Sequence, residues 1–259
     1  MKIGIFDSGI GGLTVLHQAL RSLPREDYIY YADTDHVPYG TKTREEIIQY
    51  VDKAVDFLIG KGVKVVVIAC NTATSAAADY VRNKYGLPIL GMEPAIKPAV
   101  AGSNGKRVMM IATPVTVREE KLRNLLMQVD DNHRVDLLAL PDLVRFAEEG
   151  RFEDASVEQY LRQELAPYEL TDYSSLILGC THFNYFKDTY RRIFPKEVAF
   201  IDGSAGTVNH LKRILEERKQ LEKNHGFVEY YMSGRPVYRK EELDKLASLH
   251  KRLDRMLNY

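Results

Sequence analysis

Two near-continuous apolar runs of this 259-residue chain end alike. Val65-Val66-Val67-Ile68-Ala69 leads into Cys70-Asn71-Thr72, and Ser175-Leu176-Ile177-Leu178-Gly179 leads into Cys180-Thr181-His182, with the cysteines 110 positions apart. Short apolar runs without alternation read as strands buried on both faces, the central strands of a parallel sheet covered by helices. Similar runs lie at Lys2 to Phe6, Tyr28 to Ala32, Val63 to Ala69, Arg107 to Ala112, Val135 to Ala139, Ser175 to Leu178 and Val198 to Ile201. Between them, Leu13 to Leu23, Arg44 to Lys61, Ser75 to Lys84, Arg118 to Met127 and Val157 to Leu165 carry apolar residues at helical spacing, with Ser or Thr ahead as N-caps. This is the strand-loop-helix rhythm of an α/β protein.

The rhythm repeats. Ile3-Gly4-Ile5-Phe6-Asp7-Ser8 and Val108-Met109-Met110-Ile111-Ala112-Thr113 both run from strand to polar loop, at nearly the offset that separates the cysteines. The predicted fold class is therefore α/β with two similar lobes, each a mainly parallel sheet flanked by helices. Lobe one is expected to span residues 1–97 plus 207–259, and lobe two residues 98–206. Gly91 to Gly105 would cross between the lobes, Asp202-Gly203-Ser204-Ala205-Gly206 would return, and the helices from Thr207 on would pack back on lobe one.

Lys plus Arg equals Asp plus Glu at 36 each, so the chain lacks the basic excess of a non-specific nucleic-acid binder. The longest apolar run, Val63 to Ala69, is far short of the ~20 residues a membrane span needs and is broken by Lys64. The first residues, Met1-Lys2-Ile3-Gly4-Ile5-Phe6-Asp7, have no signal-peptide pattern, and a cytoplasmic location is expected. The two cysteines form no CxxC, and no His/Cys cluster has metal-ligand spacing, so neither a disulfide scaffold nor a metal site is expected.

In parallel sheets ligands bind beyond the carboxyl ends of the strands, where both cysteines fall. A thiol ahead of a helix N-terminus is expected to have a lowered pKa and to act as base or nucleophile. A phosphatase-type loop would need Arg about six residues after the Cys, where the chain has Ala76 and Phe186. A papain-like Cys–His pair would leave Cys70 without a role. Two thiols from opposite lobes fit proton removal from one face of a carbon and delivery to the other, which inverts a stereocentre. Asp7-Ser8-Gly9-Ile10-Gly11-Gly12 only approaches a dinucleotide fingerprint, because Thr14 stands where GxGxxG needs Gly. Asp7 then reads as a base-tuning carboxylate or ammonium ligand, or as a helix cap.

With Asp7-Ser8-Gly9-Ile10-Gly11-Gly12, Val37-Pro38-Tyr39-Gly40, Ala69-Cys70-Asn71-Thr72-Ala73, Glu93-Pro94 and Leu178-Gly179-Cys180-Thr181-His182 in this order, the chain resembles the glutamate racemase family over about its first 210 residues. The resemblance implies cofactor-independent interconversion of L- and D-glutamate, supplying D-glutamate for peptidoglycan, with two pseudo-symmetric lobes and an active site in the cleft between them. It implies that Cys70 and Cys180 are the two catalytic acid/bases, with Asp7 near the first and His182 near the second. Asp7-Ser8, Tyr39-Gly40, Asn71-Thr72 and Thr181-His182 match the family's substrate-binding pairs. Glu148, in Phe146-Ala147-Glu148-Glu149-Gly150, resembles the glutamate that backs the His, and Glu149 matches equally well. The blander roles are turn chemistry for Tyr39, helix caps for Asn71 and Thr72, and a core histidine for His182. The chain departs from the family at Phe183-Asn184-Tyr185-Phe186 and in the polar stretch Leu140 to Phe146.

A homodimer is expected, the commonest symmetric assembly, with no membrane and no nucleic-acid partner. Competing functions are a related racemase acting on aspartate, a hydantoin or another amino acid, and a partner-binding regulator of the kind that engages DNA gyrase. The charged helices Leu211 to Lys223 and Lys240 to Arg255 would serve the last, although alternating acids and bases ordinarily mark a solvated face.

Overall fold

The computed structural model describes residues 1–130, 132–222 and 226–259. In chain order its strands are β1 (Lys2–Asp7), β2 (Tyr28–Ala32), β3 (Val63–Ile68), β4 (Ile89–Gly91), β5 (Arg107–Ala112), β6 (Val135–Ala139), β7 (Tyr173–Leu178), β8 (Ala199–Asp202), β9 (Val228–Met232) and β10 (Arg235–Pro236). Its helices are α1 (Leu13–Ser22), α2 (Arg44–Gly60), α3 (Asn71–Lys84), α4 (Ile96–Ala101), α5 (Pro114–Arg118), α6 (Glu120–Val129), α7 (Asp142–Glu148), α8 (Ala155–Leu165), α9 (Lys187–Ile193), α10 (Ser204–Glu217) and α11 (Lys240–Met256). Among these residues the strands form two sheets, in the orders β10-β9-β2-β1-β3-β4 and β6-β5-β7-β8. Every pairing is parallel except the β9–β10 hairpin.

Both sheets are covered on both faces, which explains the unbroken apolar runs. Ile3, Val65 and Val67 of the first sheet share one apolar cluster with Met109, Ile111 and Leu176 of the second. Phe6, Val66 and Ile68 face the opposite way, toward α2 and α3, while Val108, Met110 and Ile177 face α4 and α6. The shared cluster also takes Leu246, Leu249 and Leu253 of α11. The alternating charges of α11 thus lie around a helix whose apolar stripe faces inward.

All seven strands read from the sequence are present, with ends within two residues of those expected. Three differences follow from tertiary context. Strands β4, β9 and β10, at the two margins of the first sheet, were not foreseen: β4 is three residues long, β10 two, and β9 mixes Glu229 with tyrosines. The expected return loop Asp202 to Gly206 is largely helix, because Asp202 Oδ1 accepts from Ser204 N at 2.7 Å and α10 starts there. The charged helix expected over Leu211 to Lys223 ends at Glu217, and Lys223 lies outside the described residues. Of the expected caps, Thr43 forms a capping box with Glu46 on α2, whereas Gly12, before α1, provides no side-chain cap. No helix among the described residues is long and apolar enough to cross a membrane.

Lys64, the charge that interrupts the β3 run, has a reason to be there. Its side chain is 1% exposed and meets Glu26, 2% exposed, at 2.6 Å. Lys64 also donates to the Gln220 carbonyl at 2.5 Å, and Glu26 accepts from Glu222 N at 2.8 Å. The pair therefore fastens the segment after α10 to the first sheet. Lys64→Ala should destabilise the fold by about 3–5 kcal/mol in chemical denaturation, since it strands a buried carboxylate, whereas Lys64→Met combined with Glu26→Gln should cost less. Equal losses in both variants would place the effect in packing instead of charge.

Candidate active site

The loop after β1 is the centre of the site. Asp7 is fully buried; its Oδ1 accepts from Gly9 N at 2.9 Å and its Oδ2 from Thr181 Oγ1, in the other half of the chain, at 3.0 Å. It does not cap α1, whose N-cap is Gly12. Two buried phenols hold the loop from either side: Tyr30 donates to the Gly9 carbonyl at 2.6 Å and Tyr185 to the Ile10 carbonyl at 3.1 Å. A Cβ on Gly9 would strike the Glu148 carboxylate, and one on Gly11 would strike Thr181 and the His182 ring. These glycines thus let the second lobe approach the backbone, not a dinucleotide. Thr14, which spoils the fingerprint, donates to the Thr181 carbonyl at 3.1 Å.

Cys70 is the N-cap of α3, and its sulfur accepts from Ala73 N at 3.4 Å. Asn71 and Thr72 are therefore the first helical residues and not its caps. Cys70 is 6% exposed and donates toward Ser8 Oγ at 3.7 Å. Burial pushes its thiol well above the ordinary range; the Asp7 charge pushes the same way, and the Ala73 amide opposes them too weakly. This corrects the lowered pKa expected from a helix N-terminus: desolvation beside a carboxylate wins. Asp7 is itself raised by burial, despite the lowering effects of the His182 charge and of its two hydrogen bonds.

Cys180 stands in different surroundings. It precedes a 3-10 segment, Thr181–Phe186, instead of a regular α-helix, and its sulfur lies 3.8 Å from His182 Nδ1. His182 Nε2 lies 2.6 Å from Glu148 Oε1, which also accepts from Ile10 N at 2.8 Å. Burial works against a charged imidazole, yet the hydrogen bonds to Cys180 and Glu148 outweigh it and raise the His182 pKa well above its ordinary value. Burial likewise opposes ionisation of Glu148, but the His182 bond and charge bring its carboxyl below the usual range. Glu149 instead meets Arg151 at 3.2 Å on the surface, so geometry separates the two candidates. Phe183, Tyr185 and Phe186, where the chain departs from the family pattern, point into the core.

The remaining candidates gather nearby. Across the two lobes the Thr72 hydroxyl meets those of Thr113 and Thr116 at 2.9 and 3.3 Å, and these two lie 3.0 Å from each other. Gly40 packs so near Thr113 that an added Cβ would lie 2.9 Å from its Cβ. Tyr39 donates its hydroxyl to Asp33 at 2.6 Å. Asn71 is buried, and neither its amide nitrogen nor its oxygen has a hydrogen-bond partner among the described residues. Thr113, Thr116, Tyr30, Tyr185 and Asp33 had no role in the sequence reading. Thr113 was within reach, because the internal repeat pairs it with Ser8.

The sequence profile of the Asp/Glu/Hydantoin racemase family matches residues 8–211. The chain belongs to this family. A glutamate racemase of Lachnospira eligens is 54% identical over 99% of each chain. Among solved structures, a glutamate racemase isoform of Bacillus anthracis superposes with a TM-score of 0.83 at 28% identity, covering 100% of this chain and 94% of that one. A glutamate racemase of Francisella tularensis in complex with D-glutamate gives 0.80 at 30% identity, with coverage of 96% and 92%. The enzyme is accordingly an isomerase, an amino-acid racemase.

The raised pKa of His182 has a testable sign. The charged imidazole–carboxylate pair is complete below the ordinary histidine value near 6.5 and is lost as pH rises through the higher folded value. Glu148→Gln keeps an acceptor for Ile10 N but removes the charge. It should therefore lower the His182 pKa, move the alkaline limb of the rate profile to lower pH and slow turnover about tenfold or more. Ring-proton NMR titration of His182 against wild type reads the first of these directly.

Proposed function

We propose that the enzyme interconverts L- and D-glutamate without a cofactor, with Cys70 and Cys180 working on opposite faces of the α-carbon. The observation that carries this reading is the delivery of two buried thiols from opposite sheets, on either side of a loop that both lobes share. The thiols are near enough for the charge of one to bear on the other. The relatives named as glutamate racemases, and the D-glutamate held by the Francisella protein, support the choice of substrate.

In each direction one cysteine, as thiolate, takes the α-proton and becomes a thiol. The other gives its proton to the opposite face and becomes a thiolate. Cys70, kept protonated by burial beside Asp7, begins as the donor. For turnover from the other enantiomer it must first lose that proton. His182 lies where it can exchange a proton with Cys180, and Glu148 holds the ring in place. Glutamate brings two carboxylates and one ammonium. Asn71, with a free donor and a free acceptor in a buried position, matches that mixture, together with Ser8, Thr72 and Thr181. Asp7 is the carboxylate whose charge bears on Cys70, and it suits the ammonium. In this reading residues 1–97 with 207–259 and residues 98–206 are the two units that close on substrate, and the protein is a cytoplasmic homodimer serving cell-wall synthesis.

Incubation with L-glutamate in D2O, without added cofactor, should give loss of optical activity together with deuterium at the α-carbon. Cys70→Ala and Cys180→Ala should each cut turnover by roughly 10²- to 10⁴-fold while leaving thermal unfolding nearly unchanged. An active single mutant would rule out two-thiol transfer, and a folded wild type that turned over only aspartate would reassign the substrate.

A further inference from the structure

We propose that Asp33 is the positioning residue of the Tyr39–Gly40 turn and that Ser233, on the C-terminal hairpin, completes its anchor, so that a part of the chain outside the family profile helps set glutamate affinity. The inference rests on the reading of Tyr39 and Gly40 as substrate-binding residues. It begins with sheet register. At the carboxyl ends of three neighbouring strands, Asp7 is paired with Ala32 and Ala32 with Met232. Asp33 N donates to the Asp7 carbonyl at 3.0 Å, and Ser233 N donates to the Ala32 carbonyl at 2.7 Å. The residue after β2 and the residue after β9 are thus locked in line with Asp7.

Their side chains extend that line toward the cleft. The Asp33 carboxylate is buried and gathers three partners. Tyr39 OH donates to Oδ2 at 2.6 Å, Ser233 Oγ donates to Oδ1 at 3.1 Å, and His36 Nδ1 lies 2.8 and 2.9 Å from the two oxygens. His36 in turn stacks on Tyr50 with centroids 3.9 Å apart. The Tyr39 ring is buried against Phe6 and Tyr50, so its hydroxyl needs an acceptor, and Asp33 is that acceptor. With the phenol committed there, Tyr39 serves as the fixed post of its turn. The adjoining Gly40 presses on Thr113 and, through it, on the Thr72 hydroxyl. An unbroken chain of contacts therefore runs from Ser233 to the wall of the substrate site.

Ser233 holds a backbone conformation that favours glycine. It has φ +46° ahead of Gly234 at φ +81°, the two-residue turn of the β9–β10 hairpin. Left-handed backbone is strained for a serine and natural for a glycine. The hydroxyl uses the position twice, donating to Asp33 and accepting from Asp35 N at 3.0 Å. A glycine there would relieve the backbone and lose both bonds.

This predicts a separation of affinity from stability. Asp33→Asn and Tyr39→Phe should each raise KM for glutamate about tenfold with kcat within about threefold, and the double variant should be no worse than either single one, because both cut the same link. Ser233→Gly should melt at or above the wild-type temperature yet raise KM about threefold. Amide hydrogen exchange over residues 36–42 should accelerate in Asp33→Asn and Ser233→Gly. Unchanged KM in these variants, or a fall in melting temperature with KM intact, would assign Asp33 a purely structural role and overturn the proposal. If wild type turns over no glutamate, the substrate reading fails by itself. The exchange experiment then decides the anchor: acceleration supports it and unchanged exchange refutes it.

Discussion

A single carboxylate oxygen, Glu148 Oε1, accepts from the backbone of Ile10 and meets the ring of His182, and the site depends on that double contact. The Ile10 bond holds the loop after β1 against α7 of the other half of the chain. The His182 contact fixes the imidazole beside Cys180. Asp7 makes the reciprocal connection by accepting from Thr181. Each lobe therefore supplies the polar partner that the other lobe's loop needs. Gly9 and Gly11 are the steric condition for this exchange, since any side chain at either would fill the space through which the loops meet.

The sheets explain why these groups converge. Parallel strands deliver all their carboxyl ends to one edge, so Asp7, Asp33, Cys70 and Ser233 arrive together from the first sheet, and Thr113 and Cys180 from the second. The common apolar cluster then holds the two edges face to face. The hydrophobic pattern sets the architecture, whereas hydrogen bonds between loops select which side chains work together.

That division also marks what could be read in the sequence. β1, β3, β5 and β7 were plain because burial on both faces leaves a continuous apolar run. β9 was missed because a half-buried strand that mixes Glu229 with tyrosines lacks that run, and with it went the hairpin and Ser233. The two cysteines were legible from their strand ends and motifs, but their chemical environments were not. Helix position argued for a lowered Cys70 pKa, and desolvation by residues distant in sequence reversed it. The choice between Glu148 and Glu149 was beyond periodicity for a similar reason. Adjacent helical residues differ by about 100° of rotation, and only the packing of α7 on the loop after β1 fixes which one turns inward.

The unlike settings of Cys70 and Cys180 have a consequence in kinetics. Enantiomers have equal free energy in water, so the equilibrium constant between them is one whatever the catalyst. The specificity constants for the two directions must then be identical, even though, in the two-thiol reading, one direction starts from a thiol beside a carboxylate and the other from a thiol beside an imidazole. The asymmetry of the protein can appear only as compensating differences in turnover number and Michaelis constant. The enantiomer with the lower Michaelis constant must have the lower turnover number, in the same ratio.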